Sequence, residues 1–216
     1  MPRSLRRHRS AVSGAALGLC LALSGAAAAA EPPEMAFEIA PFGGYRVGGR
    51  FTDTTNNQSV DLSDHGSFAL ALDARADSMS QYELFYSRQS TTLTGAGFAS
   101  LGAKVEYLHL GGTLTLDQQP RLQTYLAGGL GATRFSPDVA GGQEDTRFSM
   151  SLALGLRVPL ATHFRLRFEA RGYVTFMDTD TAIFCGSGQA GAICSIRASG
   201  STLFQFEMLA GASFVF

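Results

Sequence analysis

Few side chains in this 216-residue chain have the types and spacing that reaction chemistry requires. His65 follows Asp61 and Asp64 closely, and His109 with the serines nearest it is the other candidate base. A hydrolytic site needs a nucleophile, a base and an orienting carboxylate within hydrogen-bond reach. Neither candidate goes that far. His65 lies in a polar stretch and reads as a solvated loop residue. His109 falls on the polar face of an alternating segment and reads as hydrogen-bonded to a neighbouring strand, while His163 sits in a short turn. No catalytic residue is assigned. Cys185 and Cys194 are separated by a glycine-rich stretch containing Gly186, Gly188 and Gly191. In an oxidising compartment this spacing predicts a disulfide, which would order the loop and contribute about 2–3 kcal/mol in the chain-entropy picture. No histidine near them completes a metal site, so neither metal nor cofactor is expected.

Charge at period two is the denser pattern. Arg165, Arg167, Glu169 and Arg171 alternate with Phe164, Leu166, Phe168 and Ala170. Such alternation needs strands, in which successive side chains point to opposite faces. Eight segments carry it. Met35 to Arg50 sets Phe37, Ile39, Tyr45 and Val47 against Glu38, Arg46 and Arg50. Ser67 to Arg75 sets Phe68, Leu70 and Leu72 against Asp73 and Arg75; Gln81 to Gln89 sets Tyr82, Leu84 and Tyr86 against Gln81, Glu83 and Gln89. Lys104 to Leu116 opposes four leucines to Tyr107, His109, Thr113 and Thr115. In Leu122 to Phe135, glycines at Gly128, Gly129 and Gly131 blur the faces, which stay unassigned. Phe148 to Val158 opposes an apolar row to Ser149, Ser151 and Arg157, and Phe164 to Phe176 is the strongest pattern. In Thr202 to Phe216, Phe204, Phe206, Met208, Ala210, Ala212, Phe214 and Phe216 oppose Gln205, Glu207, Gly211 and Ser213.

The first thirty residues read as a secretory signal peptide: Arg3, Arg6, Arg7 and Arg9, then the apolar Ala11 to Leu23, then Ala28, Ala29 and Ala30 before Glu31. Residues 31–216 are then one mature domain. With the leader removed, the formal charge is about −5, which argues against nucleic acid as a partner. Of the basic residues that remain, only Lys104 is not an arginine. No later stretch approaches the ~20 apolar residues of a transmembrane helix, so entry into a membrane requires a closed barrel.

Connections alternate in length. Ala76 to Ser80, Asp117 to Pro120 and Pro159 to His163 are short, while Phe51 to Gly66, Ser90 to Ala103, Ser136 to Asp145 and Asp178 to Ser201 are long and polar. That parity fits an even-stranded barrel with both termini on one side of a membrane. A soluble lipocalin-like barrel would carry its charges outside and its apolar face inside. Here the interior of a narrow eight-stranded barrel would collect Glu38, Arg46, Asp73, Arg75, Glu83, Arg157, Arg165, Arg167, Glu169, Arg171 and Glu207, with Arg50 a further candidate. Burying any of these alone would cost several kcal/mol, so a paired lumen network is predicted. The expected fold is all-β, an eight-stranded antiparallel up-and-down transmembrane β-barrel.

The ending Gly211-x-x-Phe214-x-Phe216 resembles the carboxy-terminal assembly signal of bacterial outer-membrane barrels, departing from it at Leu209, where a polar residue is usual. The mature chain resembles the small OmpA-like and OmpX-like barrel family, with Phe37 to Gly49 and Leu126 to Phe135 similar in style. The resemblance implies export through the periplasm to the outer membrane, with both mature termini periplasmic. It implies contact with membrane lipid and lipopolysaccharide, handling by the barrel assembly machinery, and a monomer. The expected role is structural or interfacial: envelope integrity, or adhesion through external loops to a surface ligand the sequence does not identify. The alternatives are a narrow or gated channel with an OmpW-like route for small solutes and, less favoured, an enzyme acting on lipid A.

Overall fold

The computed structural model describes residues 36–53, 58–95, 100–119, 121–138, 143–177, 182–188, 191–199 and 202–216. For 51–53, 58–60, 95, 118, 182–188 and 191–199 it describes the backbone alone. The predicted signal peptide lies outside the described residues. Twelve strands follow in chain order: β1 (Phe37–Gly48), β2 (Arg50–Asp53), β3 (Gln58–Leu62), β4 (His65–Arg75), β5 (Ser80–Gly95), β6 (Leu101–Gln118), β7 (Gln123–Pro137), β8 (Asp145–Ala161), β9 (Phe164–Phe176), β10 (Ala182–Gly188), β11 (Gly191–Ser199) and β12 (Thr202–Val215).

Eight of them, β1, β4 to β9 and β12, pair antiparallel with their neighbours, and β1 pairs with β12 to close the barrel. Closure is carried to the chain end, where the Phe216 N–H donates to the Phe37 carbonyl at 2.9 Å. A closed ladder satisfies every stave's backbone groups without water, which is what a membrane interior demands. The outward row is apolar over the middle of the barrel, with Leu110, Leu152 and Phe204 each more than 60% exposed, and turns charged at Arg88, Glu106 and Arg134 toward the long connections. In water that surface would be a liability; against lipid it is the stabilising one. Outward aromatics gather toward the two ends. Phe37, Tyr82, Phe164 and Phe214 stand near the short turns, and Tyr45, Phe68, Phe148 and Phe176 stand nearer the long connections, as in the two interfacial girdles of such barrels.

Of the segments expected as long polar loops, Phe51 to Gly66, Ser90 to Ala103 and Asp178 to Ser201 are largely strand. β5 and β6 run 16 and 18 residues, well beyond the ~9–11 a membrane needs, so their ladder continues past the bilayer into the predicted Ser90 to Ala103 loop. β2 and β3 pair with each other, with β11 and with β5, extending one wall of the same end. Alternating Thr and Leu residues supply the β-propensity, and polar residues do not oppose pairing once the strand is outside lipid. The chain leaves the barrel at Gly48 and Gly49, whose φ values of 85° and 103° suit only glycine well. At Gly49 a β-carbon would also lie 3.1 Å from Leu62 and 3.2 Å from the Gln205 amide. β10 and β11 form a hairpin whose register sets Cys185 directly opposite Cys194; their side chains, and so the predicted disulfide, lie outside the described residues.

At the other end the connections are tight. In the β4–β5 turn, Asp77 Oδ1 accepts the Met79 and Ser80 N–H groups at 2.7 and 2.8 Å, and its second oxygen accepts the Ser80 hydroxyl. The Ser80 hydroxyl first, then the two amides, hold this carboxyl below its usual range. Because the folded value is depressed, the stabilisation is complete above the unfolded carboxyl range and lost as pH falls through the folded value. Asp77→Asn should therefore melt below wild type at neutral pH and converge with it in strong acid, as followed by circular dichroism in detergent.

Candidate functional site

The interior is a stack of polar layers. Nearest the short turns, Glu38 is paired with Arg165 at 3.2 Å and Arg167 at 3.4 Å, with Arg157 at 3.9 Å. The next layer centres on Arg167, which meets Asp73, Glu83 at 3.3 Å and Glu169 at 3.7 Å. Arg171 completes it with Glu83 at 2.7 Å and Glu169 at 2.6 Å. Tyr125 joins the two, donating to Glu169 Oε2 at 2.7 Å while Arg167 donates to its hydroxyl at 3.2 Å. Arg157 and Arg171 also lie over the Tyr125 and Phe85 rings at 4.2 and 3.7 Å, so their planes are covered by aromatic faces where no carboxylate reaches.

Higher up, Arg46 pairs with Glu207 at 3.2 Å and donates to Ser87, while the Tyr173 hydroxyl donates to the same carboxylate. Tyr107 stacks on Tyr173 with ring centres 4.1 Å apart and donates to Gln205 Oε1 at 2.8 Å. His109 lies between Ser151 Oγ at 2.9 Å and Ser149 Oγ at 2.8 Å, fully buried, and carries no carboxylate partner among the described residues.

The predicted network is thus assembled with two corrections. Glu38, Asp73, Glu83, Glu169 and Glu207 face Arg46, Arg157, Arg165, Arg167 and Arg171, five carboxylates to five guanidiniums, with every one buried except Arg165, which is 20% exposed. That balance lets so many charges share a low-dielectric interior. Arg75 is exposed at the short-turn mouth, since β4 ends there. Arg50 is outside as well, paired at 2.7 Å with the exposed Asp61, because the chain has turned out of the barrel at Gly48 and Gly49.

Two features escaped the sequence reading. The faces of β7 resolve with Tyr125, Ala127, Thr133 and Phe135 inward and Leu126 and Leu130 outward. Its pairing partner explains why: Tyr125 faces Gly155, and a β-carbon there would lie 2.1 Å from the Tyr125 ring. Gly155 makes room for Tyr125 to lie across it and reach Glu169. Gly155→Val should displace the ring and destabilise the barrel by about 1–3 kcal/mol, an overpacking cost readable from urea unfolding in lipid vesicles. The second feature is an apolar layer at the long-connection end of the lumen, made by Leu62, Leu93, Val105, Phe135, Met177 and Leu203, all buried.

The candidate chemistry does not assemble. His65 Nδ1 stands 3.2 Å from the Ser63 carbonyl, Asp61 is held by Arg50, and Asp64 Oδ1 accepts the Gly48 N–H at 3.1 Å. His163 is exposed in the β8–β9 turn, and no cluster of metal-binding side chains exists among the described residues.

A closed eight-stranded barrel with a lipid-facing exterior and an ion-paired interior is a transmembrane β-barrel of the outer-membrane class. The chain belongs to the outer membrane protein beta-barrel domain family, whose model matches residues 15–186. A search of curated proteins found no match. Among solved structures, the chain resembles Neisserial surface protein A at 14% identity over 84% of this chain and 99% of that one, with a TM-score of 0.56. It resembles the outer membrane protein OprG from Pseudomonas aeruginosa at 14% identity over 84% and 96%, with a TM-score of 0.54. The outer membrane protein AlkL, solved in lipid bilayers by solid-state NMR, aligns at 16% identity over 83% and 90%, with a TM-score of 0.55. At these identities the likeness is one of fold.

Proposed function

We propose that this barrel is a plugged scaffold with a structural and surface-interaction role, serving envelope integrity or adhesion through its long-connection end. That end faces the exterior, and the short turns and both mature termini face the periplasm, with lipid and lipopolysaccharide around the girdles and the barrel assembly machinery acting during biogenesis. The protein works as a monomer and without a reaction. The observation that supports this is the filled lumen: Arg46, Arg167 and Arg171 are wholly buried across the barrel section and each is tied to a carboxylate. Side chains so paired cannot swing aside singly without leaving a buried charge unmatched. Purified barrel in planar bilayers should stay closed, and a steady open state of large conductance would overturn the plugged scaffold.

A second reading, lateral passage of small apolar solutes, draws on the apolar layer above the network. On that reading Leu203→Asp would slow entry of an apolar dye into vesicles holding the barrel. If the plugged scaffold holds, the variant and wild type admit the dye at the rate of empty vesicles.

A further inference from the structure

The mouth at the short-turn end holds more positive charge than its carboxylates offset. Arg75, Arg157 and Arg165 line a depression of about 160 Å³ together with Gln81, Thr115 and Gln123. Of the buried carboxylates, Glu38 and the Asp73 opposite it lie at this level, and Arg167 draws on both. Asp77, on the rim, is engaged in its own turn. Arg157 is 2% exposed and donates through Nη2 to Gln81 at 2.7 Å, while its Nε has no hydrogen-bond partner among the described residues and reaches Glu38 only at 3.9 Å. Buried donors are normally matched, and guanidinium forks suit acceptors that present two oxygens. The opening is large enough for one small anion.

We propose that this depression binds a single small oxyanion, a phosphate or carboxylate, held by Arg75, Arg157 and Arg165. The assignment does not depend on which side of the membrane the mouth faces. A free anion such as inorganic phosphate offers this chemistry, and the rim beside it is tied by the Ala36 carbonyl, which accepts the Arg75 N–H at 3.1 Å.

The test uses the mature barrel refolded in neutral detergent, titrated with inorganic phosphate against chloride at matched ionic strength, with melting by circular dichroism and binding by calorimetry. Phosphate should raise the melting temperature saturably. Arg75→Gln and Arg165→Gln should each weaken phosphate binding about tenfold, as loss of a charge-assisted bond does. Arg75 is exposed, so that variant is expected to fold, and heat-modifiable migration on gels confirms it. Arg50→Gln, at the opposite end, should bind as wild type does. The proposal is overturned if wild type shows no saturable response to phosphate, or if Arg75→Gln and Arg165→Gln respond as wild type does.

Discussion

Arg167→Met is expected to destabilise the barrel by about 3–5 kcal/mol, the cost of removing one partner from a buried ionic network. The loss should not fall evenly on the carboxylates around it. Glu38 keeps Arg157 and Arg165, and Glu83 and Glu169 keep Arg171. Asp73 has its ion pair with Arg167 alone among the described residues, and its Oδ1 already lacks a partner. Asp73→Asn introduced into the Arg167→Met background should therefore restore more stability than Glu83→Gln does in the same background, a difference that a double-mutant cycle measures directly. The chain contains no tryptophan, so unfolding is best followed by circular dichroism or by heat-modifiable migration on gels. Equal rescue by the two neutral substitutions would mean that the charge deficit is shared through the whole lumen rather than localised at Asp73.

The pairing partners that define this prediction could not be read from the chain, although the faces could. Alternation assigns Glu38, Asp73, Glu83, Arg157, Arg167, Glu169 and Glu207 to the interior because side-chain direction follows a period of two along one strand. Which arginine meets which carboxylate depends on register between strands, and in most cases the partners are distant in sequence: Arg167 and Asp73 lie 94 residues apart. The same limit hid the faces of β7. Gly128 points outward while Gly129 and Gly131 point inward, so their own pattern is silent, and the deciding residue is Gly155 on the next strand. Arg50 and Arg75 fit the alternation and still lie outside the lumen, because alternation gives a face and not a height. Each sits where its wall has ended or turned away. The apolar layer was masked for a related reason: Leu62 and Leu93 belong to segments whose polar neighbours read as loop, and only the continued ladder turns them inward.

Phe216→Asn is expected to reduce the amount of barrel in the outer membrane severalfold while leaving the folded barrel nearly intact. The ring of Phe216 is 73% exposed and contributes little packing, and the hydrogen bond from its N–H to Phe37 is a main-chain contact that asparagine keeps. Refolded in detergent, the variant should lie within about 1 kcal/mol of wild type, the range for polar substitutions near the membrane interface. Phe206→Asn supplies the contrast. Phe206 faces lipid nearer mid-barrel, opposite Gly172 and Val47, so a polar side chain there costs stability at a depth where no water compensates it. Delivery and stability should separate in the two variants: Phe216→Asn low in membrane fractions but stable once refolded, Phe206→Asn delivered but melting early. If Phe216→Asn reaches wild-type levels in the outer membrane, the terminal aromatic is a lipid-facing residue like the others on its strand, and the likeness of Gly211, Phe214 and Phe216 to an assembly signal carries no function. Gly211 already has a packing reason to be glycine, since a β-carbon would lie 2.2 Å from the Pro41 carbonyl, so its presence alone does not argue for the signal. Phe216 has no such reason, which makes it the residue on which the test turns.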